Sequence, residues 1–205
     1  MNEPRLVSPS LRALIGSVRV VIGSESDCGT IAGLVARRLE LSLRDPNLLT
    51  ADQYEAGPDG YKQHILHVEN DGRFSIVTLV WLPGQSTAVH DHVSWCATGV
   101  YHGEETETLY RLEPSPNGSL DTGLLIPTEQ RVNAAGTAVA VVPPGDIHRV
   151  ANDGDDKAVS IHIYGADIRL LGSSIRRRYE LHVSGEPTWF ERAHVGALRQ
   201  LGPPA

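Results

Sequence analysis

Two histidines separated by one residue, His90 and His92 in Gly84-Gln-Ser-Thr-Ala-Val-His-Asp-His-Val-Ser-Trp-Cys96, are the first feature of this 205-residue chain that could do chemistry. On an extended strand, residues two apart leave the same face, so both imidazoles would point one way. Histidine is the usual imidazole ligand of transition metals, and two on one face can share an ion once a third donor arrives from elsewhere. His148, at the end of Pro143-Pro144-Gly145-Asp146-Ile147-His148, is the candidate third donor, and Asn152 follows it. A second polar run lies at Ser160-Ile161-His162-Ile163-Tyr164. There Ser160, His162 and Tyr164 share one strand face and the isoleucines take the other. Burying three polar groups in a row is costly unless they bond to one another or line a pocket. Each feature alone has a plainer reading: a chance His-x-His, a surface histidine, a solvent-facing strand.

The elements that must position these residues fall into two blocks. Leu11, Leu14, Ile15, Val18 and Ile22, then Ile31, Leu34, Val35 and Leu39, recur at three- and four-residue steps and predict helices between Leu11 and Arg44. Gly23, Ser24 and Ser26 separate the two, Asp27 is placed to cap the second, and Asp45-Pro46 ends it. From about Tyr61 the period becomes two. Phe74–Leu82, Val89–Val100, Ala138–Val142 and Ala158–Ile163 are short β-branched runs, with turn signals at Pro83-Gly84, Asn117-Gly118, Pro144-Gly145 and Asp153-Gly154. The expectation is one domain over 1–205: a helical layer in 1–50, an all-β sandwich or barrel over 61–180, and a further helix within Pro187–Gln200.

Charge and composition narrow the function classes. With 18 Lys+Arg against 25 Asp+Glu, the net charge of -7 argues against a nucleic-acid partner. Two cysteines, Cys28 and Cys96, cannot form a disulfide framework and point to a reducing compartment. No apolar run reaches the roughly 18 residues of a membrane span. The first residues lack a signal layout, so a cytoplasmic location is expected.

Together the histidine segments resemble the two motifs of the cupin superfamily. Gly84, His90, His92 and Gly103 fall in register with the first motif, and Pro143, Gly145, His148 and Asn152 with the second, Gly136 standing one residue further upstream than usual. The resemblance implies a jelly-roll-like β-barrel with His90, His92 and His148 as metal ligands. Where most cupins carry a glutamate ligand, this chain has Cys96. Three-histidine cupins of this kind resemble the cysteine dioxygenase family of thiol dioxygenases. That likeness implies Fe(2+), a small thiol substrate and O2, with Ser160, His162 and Tyr164 as a relay whose phenol faces the bound dioxygen. It also implies a thioether between Cys96 and Tyr164, as in the mammalian-type members.

Substrate choice turns on a carboxylate anchor. Mammalian-type members carry an arginine two residues after a tyrosine. Here Tyr61-Lys62-Gln63 places Gln63 there, as in a bacterial branch that favours 3-mercaptopropionate and takes an arginine from after the tyrosine strand. The ungapped register for that arginine is Ser173, with Arg169 and Arg176 nearby. L-cysteine ranks slightly ahead of 3-mercaptopropionate. Trp95 is expected at the pocket mouth, Trp81 in the core, and Asp91 pointing away from the metal. His64, His67 and His102 are expected to be surface or packed residues. Two other classes account for the histidines, a metal- or ligand-sensing cupin and a metal-dependent isomerase or hydrolase. Neither explains Cys96 or the Ser160-His162-Tyr164 face. The residues leave the oligomeric state open.

Overall fold

Ser8 starts α1 (Pro9–Ser24): its hydroxyl accepts from the Leu11 amide, and Pro9, which has no amide proton to satisfy, occupies the first turn. Asp27 starts α2 (Cys28–Ser42) by accepting from the Thr30 amide, as its position after the Gly-Ser break predicts. The structure, a computed structural model, describes residues 7–114, 123–182 and 191–195. Both helices lay their apolar stripes, Leu11, Leu14, Ile15 and Val18 on one and Ile31, Val35 and Leu39 on the other, against a β-sheet. At Gly99 the approach is close: a Cβ would sit 2.8 Å from Leu43 Cδ1 and 3.1 Å from Ala138 Cβ, so a larger residue would force the helix-side neighbours to shift.

That sheet is antiparallel, in the order β1 (Lys62–Val68), β2 (Ser75–Trp81), β9 (Ala158–Tyr164), β4 (Cys96–His102) and β7 (Ala138–Val141). Two of its three inner strands, β2 and β9, are buried along their whole length because both faces are covered. Val159, Ile161 and Ile163 face the helices, so Ser160, His162 and Tyr164 face inward, as the alternation predicts.

A second sheet faces the first. It runs β10 (Ile175–His182), β11 (Glu191–Val195), β6 (Leu124–Ala134), β5 (Glu104–Glu113), β8 (His148–Ala151) and β3 (Val89–His92), and its ladders return on themselves through β3 and β10. Between the sheets pack Val77, Leu79, Trp81, Cys96, Val150 and Tyr164. The all-β expectation is met as a cupin-like two-sheet fold with N-terminal helices. Among the described residues no strand ladder joins the two sheets. No helix among them is long and apolar enough to cross a membrane.

Two sequence expectations need correcting. Val89–Val100 reads as one strand, yet the chain leaves the second sheet after His92 and enters the first at Cys96. The intervening backbone is held elsewhere, with the Val93 amide on Ser174 O at 2.9 Å and Trp95 O accepting from the Gly165 amide at 2.9 Å. Within the span read as the helix Pro187–Gln200, the described residues Glu191–Val195 form strand β11, whose backbone pairs with β10 and β6 instead of along its own axis. The rest of that span, and the Asn117-Gly118 turn, lie outside the described residues.

Candidate metal centre

Strands β3 and β8 pair with His90 opposite His148, and His92 follows two residues along the same face of β3. One ring nitrogen from each of His90, His92 and His148 can be chosen so that all three lie within 4.8 Å of one another, and all three side chains are buried. The glycines of the motif segment shape its borders. Gly103 has φ 71°, and a Cβ there would lie 2.8 Å from Lys157 O. Gly145 turns with φ 94° just before Asp146.

Each ring is held from behind at Nδ1 by an oxygen. His90 Nδ1 is 2.9 Å from Ala88 O, His92 Nδ1 is 2.9 Å from Asp146 Oδ2, and His148 Nδ1 is 2.6 Å from Glu107 Oε1. A carbonyl or carboxylate can only accept, so Nδ1 carries the proton and the lone pair is left on Nε2 of each ring. Burial, and then the neighbouring His148 and His92, push His90 well below its ordinary pKa, which keeps it neutral and able to ligate. These donors fit a divalent transition ion such as iron: three neutral nitrogens, a fixed tautomer and carboxylates in support.

Glu107 and Asp146 are the partners that no motif reading singled out. Burial works against the charge of Glu107, but the His148 hydrogen bond, with Arg131 and Asn133, outweighs it and carries its pKa down to about 2. Arg131 Nε donates to Glu107 Oε2 at 2.9 Å. Asp146 is likewise lowered: burial opposes its charge, and the His92 ring and amide outweigh that. Glu107 stands in a Glu-Glu-Thr-Glu stretch that looks solvent-exposed on composition, and only its inward register on β5 shows otherwise. Asp146 sits inside the second motif, two residues before a ligand, and that proximity was the available signal.

Asp91, between the two ligand histidines, points the other way. It accepts from Arg176 Nη2 at 2.6 Å and from the Tyr179 hydroxyl at 3.0 Å, tying β3 to β10.

From the first sheet, β9 supplies a hydrogen-bonded line. Tyr164 Oη is 3.2 Å from His162 Nδ1, and His162 Nε2 is 3.0 Å from Ser160 Oγ and 3.2 Å from Thr98 Oγ1. The Trp81 indole donates to Ser160 Oγ at 3.2 Å. Burial, followed by the nearby His92 and His148, lowers His162 to about 3, so it stays neutral. Burial and then Cys96 raise Tyr164 well above the usual phenol value, so it keeps its proton. Cys96 is fully buried, and burial pushes its thiol up. It lies opposite Tyr164 in the β4–β9 register. The Tyr164 ring stands 6.3 Å from the His92 ring, centre to centre.

The three histidines, His162 and Tyr164 open on one cavity, which Gln63, Tyr61, Trp81, Ser173 and Ser174 also line. Gln63 stands at its exposed end. The structure places the remaining substrate candidates elsewhere. Arg169 is exposed and paired with Asp167 at 3.3 Å, while Arg176 is turned behind β3 to Asp91. Trp95 packs in the helix-side core, where its Nε1 would be 2.2 Å from a Cβ at Gly165. Trp81 takes the cavity wall instead, its ring centre 4.4 Å from that of Tyr61. Trp81 is also fully buried in the core between the sheets, as expected, and Trp95 alone departs from its expected place, because the break after His92 turns it out of the strand that carries the ligands. His64 bonds to Glu55 O, His67 to Glu69, and His102 packs edge-on to Tyr54; all three lie outside the cluster.

The profile of the family described as cysteine dioxygenase type I matches residues 50–169, more than half of the chain and all three histidines. The chain belongs to that family. The cysteine dioxygenase type 1 of Danio rerio is 31% identical over 98 residues, 47% of each chain, so the match spans about half the length of that curated relative. Among solved structures, the TT1209 protein of Thermus thermophilus is 18% identical, with 58% of this chain and 95% of that one covered at a TM-score of 0.41. A recombinant oxalate oxidase in complex with glycolate is 21% identical, with 60% and 61% covered and a TM-score of 0.41.

Proposed function

We propose that the chain is an iron-dependent thiol dioxygenase that adds both atoms of O2 to the sulfur of a small thiol carboxylate, giving the sulfinate. The observation that carries this reading is the convergence on one cavity of three buried Nε2 donors with Tyr164 and His162, which Ser160 backs from behind. Ferrous iron, when bound by His90, His92 and His148, supplies a redox-active ion at which a thiolate and dioxygen can meet. Three neutral ligands leave its charge uncompensated, which favours an anionic sulfur.

The chain's own groups do the rest. Asp146 and Glu107 hold His92 and His148 in the ligating tautomer. Tyr164, protonated at neutral pH, directs its hydroxyl to oxygen as charge develops there. His162 and Ser160 fix the orientation of that phenol, and Trp81 in turn fixes Ser160. A thioether between Cys96 and Tyr164 would hold the ring further. The described cavity wall offers the carboxylate neutral donors, Gln63, Tyr61 and Ser173, rather than a guanidinium. L-cysteine and 3-mercaptopropionate are both within its reach, and cysteine ranks first. Two cysteines are too few for a disulfide framework, which suits a reducing, cytoplasmic setting. The test is oxygen uptake by the iron-loaded protein with each thiol: stoichiometric sulfinate supports the reading, and no uptake with any small thiol overturns it.

A further inference from the structure

The line Tyr164–His162–Ser160 has a neighbour at its inner end. Glu105, on β5 and outside both motifs, is 2% exposed. Its carboxyl lies beside the Ser160 hydroxyl and the Trp81 indole, whose hydrogen bonding favours its charged form, and its Oε1 is buried with no hydrogen-bond partner. The groups acting on it from the elements around it are Glu107 on its own strand, Ser160 and Tyr164 on β9, and Trp81 on β2; Asn133, across the ladder on β6, gives its amide to Glu107. None of these is cationic. Arg131 and His148 answer the charge of Glu107, so a carboxylate at Glu105 would stand uncompensated in the interior. Burial accordingly raises its pKa to about 7, with the charge of Glu107 adding to the rise.

We propose that Glu105 is the inner end of the Tyr164–His162–Ser160 line, a positioning residue whose proton sets the direction in which the line's hydrogen bonds run. The proposal rests on the dioxygenase reading for what happens at the cavity end. With Glu105 protonated, its O–H donates to Ser160 Oγ, Ser160 donates to His162 Nε2, and His162 Nδ1–H donates to Tyr164 Oη. The Tyr164 hydroxyl is then free to donate into the cavity. When Tyr164 gives up that proton, each atom of the line passes one proton on and receives one. The net change is one proton moved from Glu105 to the acceptor in the cavity, with no electron transferred. In the ionised state Ser160 donates to Glu105, the His162 proton sits on Nε2 beside Ser160 and Thr98, and Tyr164 donates to Nδ1 instead of into the cavity.

Two measurements on the full chain test this. In zinc-loaded protein carrying ¹³C-labelled glutamate, one side-chain carboxyl should titrate near neutrality, far above the ordinary value of about 4.3, and should be missing from Glu105→Gln. A neutral-range signal that survives in Glu105→Gln, or its absence from the wild type, overturns the proposal. In iron-loaded protein, Glu105→Gln should retain iron and KM, lower kcat about 10- to 100-fold and flatten the neutral limb of its pH profile. Glu105→Asp should restore a limb. An unchanged kcat profile in Glu105→Gln overturns the proposal as well. A wild type that takes up no O2 defeats the dioxygenase reading instead, and the carboxyl titration still decides the place of Glu105.

Discussion

Cys96 lies directly across the β4–β9 ladder from Tyr164, the first residue of one strand paired with the last of the other. Side chains opposite one another on an antiparallel pair have Cβ atoms about 4.5–5.5 Å apart, within reach of a thioether to a tyrosine ring. The pairing exists only because the chain changes sheets between His92 and Cys96.

The crosslink gives the first prediction. After turnover with iron and thiol, intact-mass measurement should find the protein lighter by two hydrogens, and Cys96→Ser should lose that difference. An unmodified mass after many turnovers contradicts it.

Removing only the phenol hydroxyl separates ligation from chemistry. Tyr164→Phe should retain its iron, because Tyr164 is not among the three ligands, yet lower kcat on the order of a hundredfold. Metal analysis beside oxygen-electrode kinetics checks it. Loss of iron, or full activity, would remove Tyr164 from its assigned role.

At the cavity mouth, Gln63→Arg places a guanidinium where a neutral amide now stands. Charge-assisted pairing with a carboxylate is about twice as strong as a neutral hydrogen bond. KM should therefore fall for cysteine and for 3-mercaptopropionate and stay put for a thiol without a carboxylate. Equal changes for all three thiols would show that Gln63 does not meet the carboxylate.

Away from the site, Glu69 ties β1 to α1 by accepting from Arg19 Nε at 2.6 Å. That hydrogen bond carries the Glu69 pKa from 4.5 down to about 2. A depressed carboxylate stabilises the fold fully above its unfolded value and progressively less as pH falls toward the folded one. Glu69→Gln should thus lower Tm at neutral pH, and the gap from wild type should close as pH drops from about 4.5 toward 2. Thermal unfolding of both proteins across that range checks it; a gap independent of pH contradicts it.

How far the sequence carried the reading differs from residue to residue. His90, His92 and His148 were legible because ligand spacing on a strand and after a turn is a local pattern, and Ser160, His162 and Tyr164 because alternation alone assigns them one face. Glu105 and Glu107 were not, since a glutamate's burial depends on its register against other strands. Arg176 and Trp95 misled for a related reason: their types suit a substrate pocket, but the partner that claims each of them, Asp91 and the Gly165 backbone, is set by a change of sheet that no local spacing encodes.

The most direct test of the central claim is the fate of oxygen atoms. Iron-loaded protein given cysteine under ¹⁸O2 should release cysteine sulfinate carrying two heavy oxygens, and the His90→Ala, His92→Ala and His148→Ala variants should bind no iron and form none. Sulfinate whose oxygen comes from water, or product formation that persists without the three histidines, would contradict the account.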